Sequence, residues 1–267
     1  MSVSVSILAS GSRGNSAVVA TSSTCILVDA GVSGRETFKR LIATGLDLHS
    51  ISAILITHEH ADHVAGLQRL ATKLRVPVFM TGATHQAWRR ALRDEEGNCP
   101  KLERLELFYA GKRFTIGDID VMPFTIPHDA VDPVGFTFRS EGVKIGYATD
   151  LGYVPASVRE HLRGCDVLVI ESNHDVEMLR AGAYPWSVKQ RVMSRVGHLS
   201  NDALAEFFTS DYDGRAAYVV LAHLSEHNNH PELARAAAER ALSKRRTLLF
   251  NRVMLATQSA VLEPVRL

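Results

Sequence analysis

The sequence predicts an α/β protein in which two sheets pack face to face with helices on their outer sides, a four-layer arrangement. Three observations point there. Apolar strand-like runs crowd the first part of the chain with little helical pattern between them. Two hairpin-like pairs follow, at 113–124 and 135–149. After these, short apolar runs alternate with segments of helical period.

Taken in order, the strands are VSVSIL (3–8), AVVA (17–20), CILVD (25–29), AILIT (53–57), VPVFM (76–80), VMPFTI (121–126), GFTFR (135–139), VKIGYAT (143–149), DVLVIE (166–171), AYVVLA (217–222) and RVMLAT (252–257). Each is short, rich in branched or aromatic residues, and either alternating or continuously apolar. Helical spacing marks 34–45, 64–74, 85–94, 201–210 and 231–244. Asn201 is a candidate cap for the fourth, and Pro231 suits the first turn of the fifth. No repeat, low-complexity tract or linker divides residues 1–267, so one large domain is expected.

Composition narrows the function classes. Hydrophobic residues make up 46% of the chain, enough for a sizeable core, and no apolar run approaches the roughly 18 residues of a membrane span. The start, MSVSVSILASGS, lacks a basic region and reads as a first strand rather than a signal peptide. Cys25, Cys99 and Cys165 are odd in number and far apart, which fits a reducing cytoplasm. The net charge of +1 argues against long-range, non-specific DNA binding, although a local basic patch is enough to hold a strand.

The chemistry starts at THEHADHVAGLQ (57–68). Imidazoles repel one another when protonated, and packing gives no reason to gather His58, His60 and His63 beside Asp62. A divalent cation does. The zincin pattern H-E-x-x-H fails, because Asp62 stands where its second histidine belongs. His58 and His60 instead suit extended backbone, where alternate side chains share a side. Four ligand-type side chains exceed the need of one ion, so two ions sharing a bridge are expected. Further ligand types end other strands: His128, Asp150 and His223.

With CILVDAG upstream and PHD, ATD and AHLS downstream, T-H-E-H-A-D-H resembles the metallo-β-lactamase fold superfamily over about residues 3–257. That resemblance implies an αββα sandwich of two mixed sheets with a dinuclear site between them. It implies His58, His60 and His128 on one ion, Asp62, His63 and His223 on the other, and Asp150 bridging. Asp29 would orient the histidine loop. A metal-bridging hydroxide, steered by Asp62, would be the nucleophile.

The surroundings of the site select among the many reactions this fold hosts. SGSRGNS (10–16), with Ser12 and Asn15, is either an anion-binding nest or an ordinary Gly/Ser hairpin. In GHLSNDA, His198 precedes a helix and either binds phosphate and protonates a leaving oxygen or merely neighbours the cap. Asn173, His174 and Asp175 lie near the metals or in a solvated loop; His227 and His230 are not expected to be ligands. Together with A-T-D-L-G, E-S-N-H-D…Y-P-W and A-H-L-S-x-x-N-N, these motifs closely resemble the YycJ (WalJ) family, and more distantly PhnP phosphodiesterase and tRNase Z.

The resemblance implies a cytoplasmic 5′→3′ DNA exonuclease with two divalent ions, Zn²⁺ or Mn²⁺ with Fe²⁺ also admissible. It implies catalytic roles for Asp62 and His198, and phosphate contacts from Ser12, Asn15, Asn173 and His198. The interval between Asp150 and His223 is too short for a β-CASP insertion. DNA is the expected partner, with no membrane, and the sequence leaves monomer and homodimer open. A small-molecule phosphodiesterase, a glyoxalase II-like thioesterase, or a regulatory module with weak catalysis are the alternatives. Arg89, Arg90 and Arg93, then Lys189, Arg191 and Arg195, then Lys244, Arg245 and Arg246, form basic runs that are either solvated faces or a backbone track. Trp88 and Trp186 are read as core residues rather than base-stacking ones.

Overall fold

A computed structural model describes residues 3–244 and 250–267; Arg245 and Arg246 of the last basic run lie outside the described residues. The first half gives β1 (Ser4–Ala9), β2 (Ser16–Ala20), β3 (Cys25–Val28), α1 (Gly34–Ala43), β4 (Ala53–Leu55), α2 (Ala61–Val64), α3 (Leu67–Leu74), β5 (Val78–Thr81), α4 (Gly82–Ala91) and β6 (Leu105–Phe108). The second gives β7 (Phe114–Ile116), β8 (Ile119–Thr125), β9 (Val134–Ser140), β10 (Val143–Ala148), α5 (Ala156–Leu162), β11 (Val167–Glu171), α6 (Val176–Ala181), α7 (Trp186–Val192), α8 (Asn201–Ser210), β12 (Tyr218–Ala222), α9 (Pro231–Ser243), β13 (Arg252–Leu255) and β14 (Val265–Arg266).

Among the described residues the strands form two mixed seven-stranded sheets, β14-β1-β2-β3-β4-β5-β6 and β13-β12-β11-β10-β9-β8-β7. Each sheet is antiparallel at one end and parallel at the other; β3 to β6 run parallel, as do β10 to β13. Both sheets are buried on both faces, which explains the continuous apolar runs. The inter-sheet core includes Val19, Val28, Leu55, Phe136, Phe138 and Val169. A second core seals β10–β13 under α5, α8 and α9, and a third seals β2–β5 under α1, α3 and α4. These are the four αββα layers. A fully buried ring such as Phe136 stabilises by about 1.5–3 kcal/mol relative to leaving it in water.

Several element boundaries differ from the sequence reading. The helix expected over 64–74 is two pieces broken at Ala65–Gly66, because the backbone there docks on the turn after β3. Gly66 N–H donates to Ala30 O at 2.8 Å, and a Cβ on Gly66 would stand 2.1 Å from Val32 O. The cap of α8 is Ser200, whose Oγ accepts from Ala203 N, rather than Asn201. Asn201 Oδ1 instead accepts from Ser172 Oγ at 2.7 Å. Helix α4 begins at Gly82, three residues earlier than expected, capped by Thr81. Pro231 does occupy the first turn of α9. The sequence reading missed β6, β14, α5, α6 and α7. The helices among these have six or seven residues, too few for a periodic stripe to stand out. No helix among the described residues is long and apolar enough to cross a membrane.

Candidate metal centre

The site lies at one edge of the sandwich, where β3, β4, β10, β11 and β12 end. Those ends deliver Asp29, Thr57–His58, Asp150, Glu171 and His223. Asp29, Asp150 and His223 adopt left-handed backbone, with φ of 61°, 60° and 54°. Non-glycine residues rarely do so, and three immediately after strand ends mark sharply turned, over-determined loops.

Asp29 organises the histidine loop. Its carboxylate accepts from Thr57 N at 2.9 Å and from the Thr57 hydroxyl at 2.9–3.0 Å. It also accepts from His63 Nδ1 at 2.8 Å. Thr57 Oγ1 in turn lies 3.0 Å from His58 Nδ1 and accepts a hydrogen bond from it. His128 Nδ1 donates to Gly197 O at 3.1 Å, and His223 Nδ1 to Glu171 Oε1 at 3.1 Å. With Nδ1 committed, His58, His63, His128 and His223 all turn Nε2 inward, the arrangement metal-binding imidazoles need. His60 is the exception and points Nδ1 inward, 3.2 Å from His128 Nε2.

Two groups of donors converge, and a third, Asp150, Glu171, His198 and His223, shares Asp150 and His223 with the second. His58, His60 and His128 offer nitrogens within 4.8 Å of one another. Asp62, His63, Asp150 and His223 form the neighbouring group, with His63 Nε2 3.3 Å from Asp150 Oδ2 and His223 Nε2 3.3 Å from Asp150 Oδ1. The His58 and His63 rings are 4.0 Å apart, so the groups adjoin. Burial, reinforced by the charge of His63, holds the His58 pKa well below the ordinary imidazole range. Burial opposes the charge on Asp150, but His223 and His63 prevail and hold its carboxyl well below the usual range.

These residues pass a test of fit for divalent ions. His58 Nε2 and Asp150 Oδ2 are buried and have no hydrogen-bond partner in the protein. Such orphans cost about 1–3 kcal/mol each unless something coordinates them. Imidazoles and carboxylates are the donors that zinc, manganese and iron take.

Other sequence candidates fall differently. SGSRGNS is not an open anion nest, because its polar groups brace the metal loops. Asn15 Oδ1 accepts from Gly11 N at 2.9 Å, while Asn15 Nδ2 reaches Asp62 Oδ2 at 3.1 Å and His63 Nε2 at 3.0 Å. Ser10 Oγ accepts from His223 N at 2.7 Å. Ser12 faces solvent. The amide of Asn173 is bonded to His223 O at 2.9 Å, so part of its donor capacity braces a metal-site histidine. His174 is buried rather than in a solvated loop, and Asp175 caps α6. His227 and His230 join none of the donor groups.

The residue that sequence reasoning missed is Glu171. It is fully buried, yet accepts from His198 Nδ1 at 2.7 Å, His223 Nδ1 at 3.1 Å, Leu151 N at 2.8 Å and Leu199 N at 3.1 Å. Burial raises its pKa, but the charge and hydrogen bond of His198, with the bond from His223, outweigh that and bring it down to about 2. The signal was present as a lone acid ending the run DVLVI. His198, 17% exposed, stacks 5.2 Å from His223 and lies 5.2 Å from His128, so it overlooks both donor groups.

An αββα sandwich carrying these donors at its strand ends defines a metallohydrolase. The chain belongs to the β-lactamase superfamily: residues 24–224 match the family described as Beta-lactamase superfamily domain. It is 40% identical over 245 residues to an exodeoxyribonuclease YycJ of Bacillus anthracis, covering 92% of this chain and 91% of that protein. The fold is similar to that of the metallo-β-lactamase fold protein YhfI of Bacillus subtilis, with TM-score 0.71 and 15% identity over 98% of each chain. A diphosphatase of the PhnP family gives TM-score 0.66 and 18% identity, covering 100% of this chain and 98% of the other. The superfamily, the YycJ-type relatedness and the αββα fold expected from the sequence are thereby shown, and divalent metal binding follows from fold and donor set.

Proposed function

We propose that this chain is a dinuclear metal-dependent phosphodiesterase, a 5′→3′ DNA exonuclease of the YycJ type working as one cytoplasmic domain over 1–267. The observation that carries the reading is the Glu171–His198 pair standing over two adjoining donor groups. The identity with a named exodeoxyribonuclease over nearly the whole of both chains supports the substrate.

His58, His60 and His128 would hold one ion, Asp62, His63 and His223 the other, with Asp150 between them. Two such ions, Zn²⁺ or Mn²⁺, would supply Lewis acidity at the phosphoryl oxygens and lower the pKa of a water. The protein does the rest. Asp62, 23% exposed and held by Asn15, would orient that water. Glu171 accepts a hydrogen bond from His198 Nδ1 and its charge favours the imidazolium, whose Nε2 proton would pass to the departing oxygen. His198 at the site mouth favours phosphate chemistry over the thioester alternative, in which a thiolate leaves without needing a strong proton donor.

The test loads the protein with Mn²⁺ or Zn²⁺ and assays 5′-labelled duplex and single-stranded DNA, RNA, a nitrophenyl phosphodiester and a thioester. Degradation of DNA from its 5′ end is the expected result. Turnover of the thioester alone refutes the reading, as does nuclease activity that persists in a His58→Ala, His60→Ala double variant.

A further inference from the structure

Helix α7 carries a residue that nothing in the metal chemistry uses. Arg191 lies in its last turn, 61% exposed, with Nε donating to Asp129 Oδ2. The other oxygen of that carboxylate, Oδ1, is buried without a hydrogen-bond partner and stands 3.4 Å from His128 Nε2, the nitrogen aimed at the metal position. Arg191 is therefore one carboxylate removed from the centre.

The helix end is also built into the site wall. Gly197 O receives His128 Nδ1, and His198 N donates to Val192 O at 2.9 Å. A Cβ on Gly197 would stand 2.2 Å from both Arg191 O and Val192 O, so the turn packs tightly on the helix it follows. The other cations of this segment are committed elsewhere. Lys189 is buried and donates to Arg180 O at 2.7 Å, and Arg195 lies over the Tyr153 ring at 4.3 Å. Arg191 is tied to Asp129 through Nε, and most of its side chain stays exposed beside the site. A guanidinium so tethered presents a planar pair of donors matched to phosphate oxygens.

We infer that Arg191, positioned by Asp129, grips a backbone phosphate flanking the scissile one, and so makes the site select a polynucleotide over a small diester. Because Arg191 reaches His128 only through Asp129, the phosphate it holds lies beside the metal pair rather than on it. This rests on the nuclease reading above.

The experiment compares Mn²⁺-loaded wild type, Arg191→Ala, Arg191→Lys and the charge control Arg215→Ala. Arg215 pairs with Asp166, near the opposite ends of the strands. Substrates are a 5′-labelled oligonucleotide and bis(p-nitrophenyl) phosphate. In Arg191→Ala, KM for the oligonucleotide should rise about tenfold or more, the scale of one charged contact. The slope of log KM against log salt should shrink by about 0.7, one phosphate contact on a single strand. kcat and KM for the small diester and the metal content should match wild type. Arg191→Lys, which keeps the charge but not the fork, should recover only part of the loss. Unchanged oligonucleotide KM and salt slope overturn the inference while leaving the nuclease reading intact; so does an equal loss on both substrates. Wild type that turns over the small diester but no oligonucleotide defeats the nuclease reading, and the inference falls with it.

Discussion

Asp29 Oδ2 and His63 Nδ1 meet at 2.8 Å with both side chains fully buried, joining the end of β3 to α2. Asp29 touches no metal position, yet it fixes which nitrogen His63 presents and, through Thr57, which nitrogen His58 presents. Asp29→Asn should weaken metal binding by about 10–100-fold, the usual cost of losing a partner behind a ligand. Competitive titration with a chelating dye measures it, and wild-type affinity in the variant would reject the role.

His198→Ala should keep its metals and lose about 10²-fold or more in phosphodiester turnover, the scale of a general acid. Loss of metal would reassign it as a ligand.

Glu171→Gln should lower kcat to a similar extent, because the His198 imidazolium then faces a neutral amide and loses the charge that favours its proton. The double variant with His198→Ala should be little worse than either single one, as expected when two residues act as a unit. Fully multiplicative losses would separate them. Metal content must be followed, since Glu171 also orients His223.

Gly66→Ala should destabilise by about 1–3 kcal/mol or more, because the new Cβ would lie 2.1 Å from a backbone oxygen that cannot step aside. Gly82→Ala meets nothing within 4 Å at the start of α4 and should be neutral or slightly stabilising. Thermal melts of the two variants give the comparison; equal melting temperatures would contradict the packing argument.

His174 carries a pH dependence. Burial pushes its imidazole down to about 4, against the raising pull of Glu171. Unfolded, the group titrates near 6.5. Between those values the unfolded chain binds more protons, so stability rises with pH across the window. It is lost as pH falls from about 6.5 towards 4. Urea midpoints of metal-free wild type should drop faster over that range than those of His174→Gln. Parallel curves would show that His174 does not contribute.

What could be read in the sequence follows from distance along the chain. His58, His60, Asp62 and His63 stand within one turn and announce themselves, and His128, Asp150 and His223 end apolar strands whose lengths are plain. Glu171 was not legible because its partners arrive from β10, β12 and the loop before α8, and only the folded edge brings them together. Asn15 and Asn173 looked available for phosphate because a sequence does not show that their amides are already bonded to Asp62 and His223. Trp186 was read as core and is 62% exposed; Trp88 was read as core and is buried. Helix α7 holds Trp186 and Val188 outward, so its apolar residues trace no inward stripe. Glu59, which had no chemistry in the sequence reading, accepts from Val131 N at 2.8 Å and pins the loop after His128.

The donors come from both layers of the sandwich: His58, His60, Asp62 and His63 hang from the sheet of β4, while His128, Asp150 and His223 hang from the sheet of β8, β10 and β12. Ions seated there would rivet the two sheets at this edge, beside the backbone bond that runs from Val134 N to Thr57 O at 3.1 Å. Metal occupancy then becomes a mechanical property of the fold as well as a chemical one. At a hundredfold excess over Kd, one such rivet adds about 2.7 kcal/mol, and stripping it should loosen amide protection first along this edge, while the far ends of the strands stay clamped by their apolar core.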